Sequence, residues 1–332
     1  MSTTSQVTDW SDLYTDLQNR VRVATGVTAT ENQAKRYLNI ALQDLLANFS
    51  EKMPWLERRA ELVTHAPYSD GTVTISVGST TLTGTSTLWN TANSYNQNNM
   101  RTQGKLTIAG GHDLYRISAV TTDTSATSVT RYVASNNASG VTYVYFEDEY
   151  DLASDFLRPL DFTMFINSYQ IPIISRREFI RAYPRPNVSG RPRVATLLDL
   201  PPVSNTTPIR RIQFYPYPDT TYIISYRYVT ANLVTGSDGT AKAQFTAAAD
   251  EPLLPLRYRH VLVLGALANW YRDKRDDARS QEAKAEYIDL AGRMVADTEI
   301  GTSNSIQIQP RPGLYSKHAR TPYGRIGYRY GR

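Results

Sequence analysis

The sequence contains no cysteine. Disulfides, thiol nucleophiles and cysteine-ligated zinc sites are excluded together. Histidine is scarce: His65, His112, His260 and His318 lie far apart, and none stands in an H-E-x-x-H or similar metal spacing. Long apolar runs are missing. The most apolar stretch, Val261 to Ala268, is eight residues, against about 20 needed to cross a bilayer. Met1 to Trp10 is polar and lacks the apolar region of a secretory signal. The expectation is a soluble chain made in the cytoplasm, with no membrane partner, so the sequons at Asn48, Asn137, Asn187 and Asn205 read as accidental. No G-x-G-x-x-G, P-loop or G-x-S-x-G is present. These absences lead to the expectation of a protein that is not an enzyme and holds no cofactor or metal.

Acid is absent from one region altogether. Residues 301–332 carry Arg311, Lys317, Arg320, Arg325, Arg329 and Arg332 and no Asp or Glu, with Tyr315, Tyr323, Tyr328 and Tyr330 between them. The whole chain has 36 Lys+Arg against 31 Asp+Glu, so without this segment the balance is 30 against 31. The basic excess is therefore a C-terminal arm on a nearly neutral body. Pro310, Pro312, Pro322 and five glycines argue that the arm is extended. Six cations could meet phosphates, but tyrosines set among them favour a protein surface over DNA.

Tyrosine is abundant, at 23 against 8 Phe. It buries a ring and keeps a polar tip, which suits wet subunit interfaces. At 332 residues the chain can bury one large core or two smaller ones.

Periodicity places a helix on Trp10, Leu13, Tyr14, Leu17 and Val21, capped by Asp9 or Ser11 and ended by Gly26. A second runs from Thr28, with Glu31 completing a capping box, through Ala34, Leu38, Ala41, Leu42 and Leu45 to Phe49. Met53-Pro54 stops it. Arg59 to His65 reads as a strand. From Pro67 to Phe146 short alternating runs (Val73, Ile75, Val77; Leu106, Ile108; Tyr115, Ile117, Ala119; Val141, Tyr143, Tyr145) suggest a small sandwich or barrel, with 86–103 as a long loop. Further strands are expected at Ile171–Ile174, Arg210–Pro216 and Thr221–Tyr228, and a short helical piece around Phe156. Pro255 opens a C-terminal helical pair, with Asp276-Asp277 capping the second member unless one long helix runs through. The expected fold class is α+β: helices at 1–66, an inserted β-module at 67–147, strands and helices at 148–300 completing the helical core, and the arm at 301–332.

Two charged groups stand out besides the arm. Glu147, Asp148, Glu149, Asp151 and Asp155 form the one dense carboxylate cluster. Its plainest reading is a solvated turn entering a helix; an acidic patch for a neighbour's arm, a metal site or a glycosidase pair are the alternatives. Arg176, Arg177, Arg181, Arg185, Arg191 and Arg193 fall within 18 residues, opposed only by Glu178. A phosphate-facing loop, a subunit interface and a solvated loop remain open for them.

The order of elements then resembles the head-to-tail adaptor (connector) proteins of tailed bacteriophages, the short-tailed type above all. The resemblance lies in Asn39-Ile40-Ala41-Leu42 with Met53-Pro54-Trp55-Leu56. It continues in Tyr115-Arg116-Ile117, Tyr143 and Tyr145-Phe146, leading to Tyr150-Asp151-Leu152 and Asp155-Phe156. Gly190-Arg191-Pro192 follows, with Phe214-Tyr215-Pro216-Tyr217-Pro218-Asp219 and Tyr226-Arg227-Tyr228. Last come Leu254-Pro255, Tyr258-Arg259-His260-Val261-Leu262, Gly265-Ala266-Leu267 and Lys274-Arg275-Asp276-Asp277. These motifs extend to about residue 297, and the large β-module sets the chain apart from the smallest helical adaptors. The resemblance implies a virion structural protein of the neck or tail, commonly a ring of twelve subunits beneath the portal. The arm would dock on the portal, and tail nozzle, tube or fibre proteins would lie below. Double-stranded DNA would pass through the channel. A tail tube or fibre-attachment protein, and a cell-wall glycan hydrolase using the acidic cluster, are the competing readings.

Overall fold

A computed structural model describes residues 7–23, 27–49, 53–102, 104–185, 187–199 and 210–298. The chain is α+β, with five α-helices among the described residues and two curled seven-stranded sheets. It divides into two units. One combines residues 1–55 with the chain from 247 onward; the other is 56–246. Residues 148–300 are thus shared between them.

The first unit is helical. α1 (Trp10–Arg20) starts where the Asp9 side chain accepts the Asp12 N–H, as its sequence suggests. α1 ends at Arg20, ahead of Gly26, which lies outside the described residues. α2 (Thr28–Phe49) buries Ala34, Leu38, Ala41, Leu42 and Leu45, the expected stripe. The expected capping box is absent. Thr28 already lies inside the helix, the Glu31 N–H reaches the Val27 carbonyl, and the Glu31 carboxylate pairs with Lys35 one turn on. The C-terminal pair, α4 (Val261–Asp273) and α5 (Asp277–Thr298), is two helices. Asp276 separates them and accepts the Arg279 N–H at 3.2 Å. A single 3-10 turn at Leu256–Tyr258, opened by Pro255, precedes α4. α2, α4 and α5 meet at Gly265. A Cβ there would lie 3.0 Å from the Ala41 Cβ and 3.1 Å from the Tyr287 ring, so glycine permits the close approach.

The second unit holds both sheets. The module sheet runs β7 (Ala138–Val141), β2 (Thr72–Ile75), β3 (Thr81–Thr85), β6 (Ser125–Ser128), β5 (Tyr115–Thr122), β4 (Lys105–Ile108), β8 (Tyr143–Phe146). Its inward residues alternate as the sequence implies. Val73, Ile75, Leu106, Ile108, Tyr115 and Ile117 are buried around Trp89, Tyr143 and Tyr145. Val77 and Ala119 are exceptions and are exposed: Val77 lies beyond the end of β2, and Ala119 follows a register shift in the pairing of β5 with β6. The stretch 86–102 contains neither helix nor strand, yet it carries the buried Trp89, whose indole N–H donates to the Tyr143 hydroxyl at 2.9 Å.

The main sheet runs β1 (Glu57–Val63), β14 (Ile223–Thr230), β10 (Phe156–Ile166), β11 (Tyr169–Ile174), β12 (Val194–Asp199), β13 (Arg210–Tyr215), β9 (Glu149–Asp151). Phe156 begins the 11-residue strand β10, so the helical piece expected around it is a correction. A β-rich, half-buried pattern (Phe156, Pro159, Met164, Ile166) overrides the local acidity. Of the sheet's pairings, β11 with β12 is parallel and the rest are antiparallel. A parallel pair needs a crossover, and here it contains the short helix α3 (Arg176–Ala182).

Candidate interaction surfaces

The acidic cluster is not a solvated turn. Glu147 and Asp148 are fully buried and Glu149 nearly so. Glu147 and Asp148 form the link between β8 and β9, and Glu149 opens β9; each of these strands lies at one edge of its sheet. Arg101 grips Glu147 with two N–H groups, the Nε at 2.9 Å, and the Tyr145 hydroxyl lies against the same carboxylate. Lys105 reaches Asp148 at 2.7 Å and Glu149 at 3.1 Å; Arg116 reaches Glu149 at 3.5 Å. From the main sheet, the Gln213 amide donates to Asp148 at 2.7 Å and the Phe214 N–H to the Asp148 carbonyl at 2.8 Å. The cluster is therefore an ion-pair staple between the two sheets. Phe146 stacked on Tyr217 at 4.0 Å adds an aromatic tie. Asp151 pairs with Arg211, and Asp155 accepts the Tyr228 and Thr230 hydroxyls.

Burial dominates the electrostatics. The Asp148 carboxyl is raised above the ordinary Asp value because desolvation outweighs Lys105 and Gln213. One of its oxygens, Oδ1, has no hydrogen-bond partner. Burial likewise pushes the Tyr145 and Tyr150 hydroxyls well up, with the Glu147 charge adding to it. For Arg101, burial lowers the affinity for its proton, but the bonds to Glu147 reverse this and leave it raised. Three carboxylates each held by a cation differ from the open carboxyl pair that glycoside hydrolysis uses. Nor are they accessible for a neighbour's arm. Among the described residues no group of His, Asp and Glu could hold a metal ion.

Arg101, Lys105 and Arg116 are the residues that sequence reasoning missed. They lie 33 to 46 positions before the acids they meet, and nothing in their spacing connects them. Only the pairing of β4 with β5 and β8 brings them together.

The arginine group sits on the crossover. Ser175 caps α3 through the Glu178 N–H, and Phe179 is its single buried residue. At helical spacing Arg177 and Arg181 fall opposite Phe179. The first half of the expected loop is thus a helix; the loop proper follows Ala182. Arg176, Arg177, Arg181, Arg185, Arg191 and Arg193 are all exposed. Arg191 lies over the Tyr169 ring at 4.0 Å and donates to the Ile166 carbonyl at 3.5 Å. Beside the group, Tyr183 stacks on Tyr215 at 4.0 Å.

The arm residues Arg311, Tyr315, Lys317, Arg320, Tyr323, Arg325, Tyr328, Arg329, Tyr330 and Arg332 lie outside the described residues. Among the described residues no helix is long and apolar enough to cross a membrane. No protein-family model matches this chain, and no curated protein matches it.

Proposed function

We propose that this chain is a head-to-tail adaptor of a tailed bacteriophage. It assembles as a ring, of twelve subunits by family resemblance, beneath the portal, joins it to the tail, and docks its basic arm on the portal. The reading rests on the ordered run of motifs from Asn39-Ile40-Ala41-Leu42 to Lys274-Arg275-Asp276-Asp277. Several of those motif residues hold their units together. Tyr217 stacks on Phe146; the Tyr226 hydroxyl accepts the Ala153 N–H at 2.9 Å; the Tyr228 hydroxyl donates to Asp155 at 2.8 Å; Gly265 sits where three helices meet. Residues with such duties vary little when a fold is kept, which supports reading their order as a family trait. A near-neutral body with a basic, tyrosine-bearing arm also suits assembly by docking. In a ring, each arm already attached raises the effective concentration of the next, so weak single contacts sum to firm attachment.

Deleting 301–332 is expected to leave the described fold intact by circular dichroism and to weaken binding to purified portal protein. Equal binding by the truncated and full chains would remove the arm from the account.

A further inference from the structure

We infer that the crossover between β11 and β12 is a binding surface for the phosphate backbone of duplex DNA. Its first support is a concentration of unpaired cations. Elsewhere Arg20, Arg101, Arg116, Arg211, Arg227 and Arg259 each meet a carboxylate, and the exposed arginines without one, such as Arg22, Arg36, Arg131 and Arg275, are spread along the sequence. On the crossover six arginines are exposed, and among the described residues none of them pairs with an acid. The lone acid of the segment, Glu178, does not neutralise them.

The second support is that this arrangement works against the helix. Arg177 and Arg181 stand one turn apart on the face opposite Phe179, where like charges cost about 0.2–0.5 kcal/mol. A seven-residue helix with one buried anchor has little stability to spare. An external anion would relieve that repulsion. The third is residue type. All six cations are arginine and none is lysine. The planar guanidinium fork matches phosphate oxygens two at a time, where an ammonium offers a point charge. Arg191 is already set on the Tyr169 ring, which holds its guanidinium plane in place. Contacts of this kind to phosphate oxygens fix position on the duplex and carry no sequence information directly.

The inference stands apart from the portal-docking reading, because it concerns residues 176–193 and not the arm. The test is a salt titration of duplex DNA binding by the full chain, by fluorescence anisotropy. Three variants are compared with it: R176A/R177A/R181A, the same three positions changed to Lys, and an arm variant, R320A/R325A/R329A. The alanine variant should bind roughly a hundredfold more weakly at 0.1 M salt, with a log–log slope about 2.7 less steep, at about 0.9 per lost phosphate contact. The lysine variant should keep the slope and lose affinity. The arm variant should keep most of both. Because all three side chains are exposed and the Arg177–Arg181 repulsion is relieved, the alanine variant should unfold at the same temperature as the unaltered chain or slightly above it, so a loss of binding is not a loss of fold. Absence of DNA binding by the unaltered chain would overturn the inference, as would an unchanged slope in the alanine variant. Loss confined to the arm variant would overturn it in favour of the arm. Polyglutamate competing as well as DNA of equal charge would overturn it in favour of an acidic protein partner.

Discussion

Replacing Arg101 with methionine keeps much of the side-chain volume and removes the charge that faces Glu147. The Glu147 side chain is 0% exposed, whereas that of Arg101 is 30% exposed. The pair is therefore asymmetric. Without Arg101 the carboxylate keeps the Tyr145 hydroxyl but loses its cation, and an uncompensated buried charge costs about 3–5 kcal/mol. Removing the other partner is milder. Glu147→Gln leaves an arginine that water can reach and an amide oxygen that still accepts its N–H, for a loss of about 1–2 kcal/mol. Converting both, R101M/E147L, removes charge from both sides and should recover a large part of the R101M loss. The assay is urea denaturation with two probes, tyrosine fluorescence for the sheet unit and far-ultraviolet circular dichroism for the helices. For a unit of this size the R101M loss corresponds to about 6–20 °C in Tm, at roughly 2–4 °C per kcal/mol. An R101M cost below 1 kcal/mol, or a double variant no better than R101M, would refute the staple as drawn.

Other consequences follow from the same geometry. Asp148 binds its proton more tightly when folded, so its charged form weakens the native state. Its contribution to stability grows as pH falls through the folded value and levels off below the ordinary value of about 4. Asp148→Asn should therefore be at least as stable as the unaltered chain at pH 7, with the gap shrinking towards pH 4; denaturant midpoints across that range would show it, and a gap that widened in acid would contradict the sign. Gly104→Ala would place a Cβ 2.2 Å from the Tyr145 ring, moving its hydroxyl off Glu147 and costing several kcal/mol, on the order of R101M; calorimetry would measure it. Gly265→Val would overfill the meeting of α2, α4 and α5, at a cost of about 1–3 kcal/mol, seen as a lower Tm with unchanged far-ultraviolet signal.

The helices were legible because their apolar spacing is regular. Leu38, Leu42 and Leu45 on α2, and Val261 to Trp270 on α4, declare a buried face without reference to any other part of the chain. The module was legible as β for the same reason, since Leu106 and Ile108 or Tyr115 and Ile117 alternate in isolation. What could not be read was long-range pairing. Acids 147–149 look like a solvated turn because their cations lie far back in the sequence, Arg101 ahead of β4, Lys105 on β4 and Arg116 on β5, brought together by the edge position of β8. The parallel pairing of β11 with β12 was equally hidden, and with it the reason for a short helix in a segment broken by proline and glycine. Phe156 misled because a local acidic run suggests a helix start, while the long-range pairing of β10 with β14 decides otherwise.

The account's central claim is assembly, and native mass spectrometry of the full chain mixed with purified portal protein tests it most directly. The expected result is a discrete complex carrying about twelve copies of this chain, by family resemblance, and losing them when the charges of Arg311 to Arg332 are neutralised. A chain that stays monomeric and leaves the portal mass unchanged would contradict the adaptor reading.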